Sequence, residues 1–210
     1  MDYATDEERV EELKRWWKEN GKSVILGVVL GLSVLFGWRW WGDYQENQFM
    51  QASTLYSQVE IAIQNKKTDQ AKAFSDEIIK KYEKTPYAVY SALSLSKMEI
   101  DNGDMNAAKA HLQWANDHAD TPEMKKLAGI RLARLLFSLG EVDAASVLIK
   151  GVDGGEFSAM YEELKGDISV KKGEQGNALA AYKKAAELVP IGGRINPSLQ
   201  FKIDDLTKVQ

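Results

Sequence analysis

The 210-residue chain contains no cysteine, two histidines and four prolines. The absence of cysteine excludes disulfides, thiolate metal sites, a cysteine nucleophile and lipidation at an N-terminal cysteine. It does not fix a compartment, because a cysteine-free domain works in either redox setting. His111 and His118 are seven residues apart, two turns along one helical face, which is too far for both to hold one metal ion. They read as surface residues. Alternating strand patterns are almost absent. A basic field is also missing. The first 41 residues carry six Lys/Arg and seven Asp/Glu, so from totals of 27 and 31 the remainder holds 21 basic and 24 acidic residues, a net of −3. Such a domain offers no counter-charge to a nucleic acid backbone.

Catalytic signatures are equally scarce. Gly151-Val152-Asp153-Gly154-Gly155 and Ile191-Gly192-Gly193-Arg194 lack the Lys-Ser/Thr of a phosphate loop and read as turns. No Gly-x-Ser-x-Gly or His-Glu-x-x-His occurs. The carboxylate pairs Glu162-Glu163 and Asp204-Asp205 are adjacent in sequence, so on a helix they diverge and do not share a substrate. The expectation is a protein that is not an enzyme and carries no cofactor or metal.

What the chain does have is one long apolar run. Ser23 to Trp41 is 19 residues, ten of them Val, Ile, Leu or Phe. As a helix it spans about 28 Å, close to the roughly 30 Å of a bilayer core. Those ten side chains favour insertion by about 3–6 kcal/mol. Arg39 sits at the edge, where it reaches the headgroups, and Trp38, Trp40 and Trp41 suit the interface. A buried core helix seldom runs this long without a polar face. A cleaved signal peptide does not fit a start after 22 polar residues or an end in Trp-Arg-Trp-Trp-Gly. An interfacial helix needs a polar face, which is missing. Arg9, Lys14, Arg15, Lys18 and Lys22 precede the run, whereas the first basic residue after Arg39 is Lys66. This asymmetry predicts a cytoplasmic N-terminus and a C-terminal domain on the far side, the periplasm of a Gram-negative cell. Ser23, Gly27 and Gly31 recur every four residues and make a smooth stripe against which another helix can pack. Ser33 and Gly37 form an offset pair.

Before the run, Thr5-Asp6-Glu7-Glu8 has the form of a capping box, and Asn20-Gly21 that of a helix stop. Val10, Leu13 and Trp16 or Trp17 share a face, so a short amphipathic helix is expected on the inner membrane surface.

After Gly42 the pattern is helical, with breaks near 66–67, 84–85, 102–103, 119–120, 139–140, 153–155, 172–173 and 190–196. Thr85-Pro86 and Thr121-Pro122 place a cap residue before a first-turn proline. Eight or nine helices of about 10–20 residues follow from this spacing. The breaks repeat. Gly103, Gly140 and Gly173 are each followed after five residues by Ala108, Ala145 and Ala178, and after nine by Leu112, Ile149 and Tyr182. Twelve residues after each glycine come Ala115, Val152 and Ala185. The glycine ends the first helix of a pair at positive φ. The alanine admits a close helix approach, and the larger residue fills the space beside it. Gly166 is a further close-approach position.

This pattern resembles the tetratricopeptide repeat, although the opening tryptophan is absent, the 37-residue spacing needs extra loop residues, and the first pair (residues 43–84) is degenerate. The fold expected is all-α: one N-terminal transmembrane helix, then a tetratricopeptide-like helical-repeat solenoid. The expected divisions are residues 1–22, 23–41 and 42–210. The resemblance implies a groove lined from the first helix of each pair by Tyr90, Lys97, Arg134, Phe137, Met160, Glu163 and Asp167.

The order of parts narrows this further: an acidic amphipathic helix, Asn20-Gly21-Lys22, the anchor around Gly27 and Gly31, Trp38-Arg39-Trp40-Trp41, then degenerate repeats. Over essentially its whole length the chain resembles the bacterial YfgM family, ancillary subunits of the SecYEG translocon. The anchor with its Trp-Arg exit and the stretch Leu164-Lys165-Gly166-Asp167 through Gly173 to Ala178 carry the likeness. The resemblance implies an inner-membrane protein with a periplasmic repeat domain. It implies partnership with the SecYEG translocon and the membrane-anchored chaperone PpiD, and transfer of exported client proteins to periplasmic chaperones. A second reading is a regulatory or cell-envelope assembly scaffold that binds a protein partner in the groove. A third, an envelope enzyme, requires a buried polar cluster in a pocket.

Overall fold

The computed structural model describes residues 6–189 and 196–208. Among them there is no strand, and the elements run α1 (Asp6–Gln64), α2 (Thr68–Lys81), α3 (Pro86–Asn102), α4 (Met105–His118), α5 (Pro122–Ser138), α6 (Val142–Ile149), α7 (Ser158–Lys171), α8 (Gln175–Glu187) and α9 (Pro197–Lys208). A single 3-10 turn, Gly155–Phe157, precedes α7. The chain divides after Met50 into two units, so α1 contributes to both.

In the first unit α1 is continuous. Asn20-Gly21 was expected to stop it and does not. Gly21 lies under the indole of Trp17, where an added Cβ would meet the ring at 3.2 Å. The Asn20 side chain donates to the Trp16 carbonyl at 3.1 Å, a contact that follows the helix instead of ending it. Thr5 of the expected capping box lies outside the described residues. The apolar run is bare: Leu26 is 60% exposed, Val34 69% and Phe36 68%. These values exclude a core helix, whose side chains are covered. α1 is the one helix among the described residues long and apolar enough to cross a membrane. At the end of the run Trp40 stacks on Tyr44 with ring centroids 5.9 Å apart.

The second unit is built of helix pairs: the end of α1 with α2, α3 with α4, α5 with α6, and α7 with α8, followed by α9. The turns inside the pairs explain the repeat. Gly103, Gly140 and Gly173 have φ of 85°, 83° and 77°. After each, the next amide reaches back five residues: Asp104 N to Glu99 O, Glu141 N to Leu136 O and Glu174 N to Ser169 O, each at 2.9 Å. That is a Schellman closure, which satisfies carbonyls at the helix end. Ala108, Ala145 and Ala178 are fully buried, and Leu112, Ile149 and Tyr182 are at most 3% exposed. Burying a side chain the size of Leu112 contributes about 1.5–3 kcal/mol.

The degenerate first pair uses the same turn with different residues. Lys66 takes the glycine place at φ 56°, and Lys67 N reaches Ala62 O at 2.8 Å. Ala71 then holds the alanine place, Ser75 the larger one and Ile78 the third, all fully buried. Two expectations differ in detail. Val152 lies beyond α6, which ends at Ile149 because Gly151 turns the chain at φ 71°. Thr121 caps α5 by accepting from Met124 N at 3.2 Å, but Thr85 donates to Tyr82 O at 2.8 Å and leaves α3 without a side-chain cap.

The main core runs through α3, α4, α5, α6 and α7 and includes Leu93, Leu112, Ile130, Leu132, Leu136 and Leu164. A second cluster joins α8 to α9 through Tyr182, Leu199 and Leu206.

Candidate functional site

The first helices of the pairs, the end of α1 with α3, α5 and α7, share one face. The expected groove residues fall on it in three different environments. Tyr90 is half-buried in an aromatic cluster, its ring 6.0 Å from Tyr56 and 5.9 Å from Tyr87. Tyr56 also shares a hydrogen bond with Ser94 at 3.1 Å, and Ser94 donates to Glu60 at 3.0 Å. Burial pushes the Tyr56 hydroxyl pKa up. Phe137 and Met160 are half-buried and pack on the main core, so they support the face more than they line it.

Arg134, Glu163 and Asp167 belong to one ion network. Arg134 donates to Glu163 at 3.2 Å. Lys202 of α9 reaches Glu163 at 2.9 Å and Asp167 at 2.7 Å. Tyr182 donates its hydroxyl to Asp167 at 2.8 Å, and Lys202 Nζ lies 5.4 Å from the centre of its ring. Burial pulls the Lys202 pKa down, but hydrogen bonds to Asp167 and Glu163 outweigh it and the net direction is up. The Tyr182 hydroxyl is pushed far up, first by burial and then by its bond to the Asp167 carboxylate. The carboxylates at the α7 end of the face therefore already have an internal cation.

Lys97 remains exposed and borders two clefts. One, of about 570 Å³, lies between the end of α1 and α3 and is lined by Glu60, Ile63, Lys66, Ser94, Lys97 and Asp101 among others. The other, of about 390 Å³, lies between α3 and α5 over α4. It brings Lys97 and Arg134 together, as expected, and adds Arg131. Arg131 was not anticipated, though its position three residues before Arg134 places it on the same side of α5. Lys202 gave no signal in the sequence, because the α9 segment follows no repeat spacing.

The histidines are less exposed than expected. Burial holds the His111 pKa below its ordinary value. His118 stacks on Trp114 with ring centroids 4.2 Å apart, while Nδ1 lies 2.9 Å from the Trp114 carbonyl. Among the described residues no group of three or more His, Asp or Glu side chains is placed to hold a metal ion.

In the first unit Ser23, Gly27 and Gly31 sit on exposed turns of α1. A Cβ added at Gly27 or Gly31 would meet nothing within 4 Å.

An exposed apolar helix long enough to cross a membrane, followed by stacked helix pairs with a shared turn, defines a tetratricopeptide-like architecture behind one candidate membrane span. A family profile described as a tetratricopeptide repeat-like domain matches residues 14–208. The chain is 34% identical over 189 residues to an ancillary SecYEG translocon subunit of Haemophilus influenzae, covering 89% of this chain and 92% of that one. It is 32% identical over 188 residues to the Aggregatibacter actinomycetemcomitans protein of the same name, covering 89% and 92%. It is 28% identical over 208 residues to the one from Escherichia coli K12, with 98% of both chains covered. The chain belongs to the ancillary SecYEG translocon subunit family.

Proposed function

We propose that this chain is an inner-membrane protein that works beside the SecYEG translocon, with residues 1–22 in the cytoplasm, 23–41 in the bilayer and 42–210 in the periplasm. The observation that carries the reading is the pairing of full-length similarity to translocon subunits with a bare apolar run that has more Lys and Arg close to its leading end than close to its trailing end. Its role is non-enzymatic. The repeat face holds segments of exported proteins as they leave the membrane and passes them to periplasmic chaperones, among them the membrane-anchored PpiD. Clefts lined by both apolar and charged side chains support binding of chain segments. Ser23, Gly27 and Gly31 form the surface on which a translocon or PpiD helix packs, because small residues let two backbones approach.

Two measurements test this. Photo-crosslinkers placed at positions 24–41 and on the repeat face in growing cells should yield adducts with translocon subunits and with exported chains respectively. Adducts with neither, or with a cell-wall or signalling protein instead, would replace the proposal by the scaffold reading. Replacing Gly27 and Gly31 with Leu should reduce co-purification of translocon subunits, and unchanged recovery would remove the stripe from the account.

A further inference from the structure

The open charge on the repeat face has one sign at one place. The cleft between α3 and α5 has apolar walls, including Ile100, Met105 and Leu135, and its rim carries Lys97, Arg131 and Arg134. No carboxylate lines it. Arg134 is engaged by Glu163 at 3.2 Å. Lys97 and Arg131 are exposed, and among the described residues neither has an ion-pair partner within 4.0 Å. This patch is positive although residues 42–210 carry three more acidic than basic side chains.

The surroundings decide what such a cleft accepts. Toward α7 the carboxylates of Glu163 and Asp167 are balanced by Lys202 and Arg134 together, so they do not attract a basic ligand. Toward α1 the neighbouring cleft is of mixed sign, lined by Glu60 and Asp101 as well as by Lys66 and Lys97. The α3–α5 cleft combines an apolar floor with two cations, Lys97 and Arg131, that are in no ion pair among the described residues. A wholly apolar segment laid there would strip water from the two cations and give nothing back. A basic segment would meet like charge. A segment with an apolar side chain for the floor and a carboxylate for the rim satisfies both, and the guanidinium fork of Arg131 matches a carboxylate in two-point geometry. About 390 Å³ is within the range that encloses a small ligand or one or two side chains.

We propose that the α3–α5 cleft selects extended protein segments in which an apolar side chain is flanked by aspartate or glutamate, with Lys97 and Arg131 as the residues that read the acid. The inference rests on the reading of the repeat face as a binding groove and adds its specificity. The rim is wet, so the selection is modest: about fivefold in Kd between an acidic segment and its neutral counterpart, and less at high salt.

The test uses the full chain in nanodiscs and three fluorescent ten-residue peptides, each with two leucines and with two glutamates, two glutamines or two lysines between them. Anisotropy titrations should give the order glutamate, glutamine, lysine, with the glutamate advantage shrinking in 0.5 M salt, on the order of a 4 Å screening length. Lys97→Gln with Arg131→Gln should abolish the glutamate advantage over glutamine, and an unchanged thermal midpoint shows that the variant is folded. Equal binding of the three peptides would overturn the specificity and leave the groove reading intact. An acid preference that survives in the double variant would overturn its assignment to this cleft. Failure of all three peptides to bind would overturn the specificity and the groove reading together.

Discussion

Among the described glycines Gly166 leaves the least room for a Cβ, and replacing it with alanine has a calculable result. A Cβ at Gly166 would fall inside the ring of Tyr182, against Cε1 and Cδ1. Tyr182 is 3% exposed, so the ring has no free space to enter. Overpacking of this kind costs about 1–3 kcal/mol. Moving the ring also pulls the hydroxyl from Asp167, a 2.8 Å bond to a charged acceptor worth about 1.5–3 kcal/mol. Alanine returns roughly 1 kcal/mol through its helix preference. The net expectation is a loss of about 2–5 kcal/mol, or about 5–15 °C in thermal midpoint for a domain of this size. Circular dichroism melts of the full chain in detergent measure it. In a Tyr182→Leu background the ring is gone, and Gly166→Ala should then be neutral or stabilising by up to about 1 kcal/mol. A melt of Gly166→Ala within about 1 °C of the parent, or an equal loss in both backgrounds, would refute the close approach.

Three further outcomes follow from the same geometry. Lys66→Gly should stabilise by roughly 1 kcal/mol, because a left-handed lysine carries a steric cost that glycine lacks, and a rise in the thermal midpoint checks it. Lys202→Met removes the shared cation of Glu163 and Asp167 and should cost about 1–3 kcal/mol in the same melts, the two carboxylates being less than a quarter exposed. Burial lowers the His111 pKa from its ordinary 6.5, so the unfolded chain binds its proton first. The corresponding stability is complete above about pH 6.5 and is lost as pH falls through the lower folded value. His111→Gln should therefore flatten stability against pH on the acid side of 6.5, and a parallel slope in variant and parent would contradict this.

The helices and their turns were legible because each feature has a local cause. Apolar length marked the exposed run of α1. The positive φ of Gly103, Gly140 and Gly173 favours glycine, and the buried Ala108, Ala145 and Ala178 call for a small side chain. The first pair was not legible because Lys66 bears the left-handed turn and Ser75 fills a place held elsewhere by Leu112, Ile149 and Tyr182. The same Schellman bond closes that turn, but a backbone bond leaves no mark in residue type. Asn20-Gly21 misled because glycine serves there to seat an indole, not to end a helix. On the face shared by the first helices of the pairs, Lys97 and Arg134 were visible from their positions in the pair. That Glu163 and Asp167 are occupied was not, because Lys202 arrives from α9, 39 residues along the chain from Glu163. Long-range pairing of this kind is set by packing, which a one-dimensional pattern does not record.

The account depends most on which side of the membrane the repeat domain occupies. A protease-sensitive tag placed after Gln210, probed in intact spheroplasts and again after lysis, measures this directly. The account predicts cleavage in the intact spheroplasts. A tag protected until the membrane is broken would contradict it.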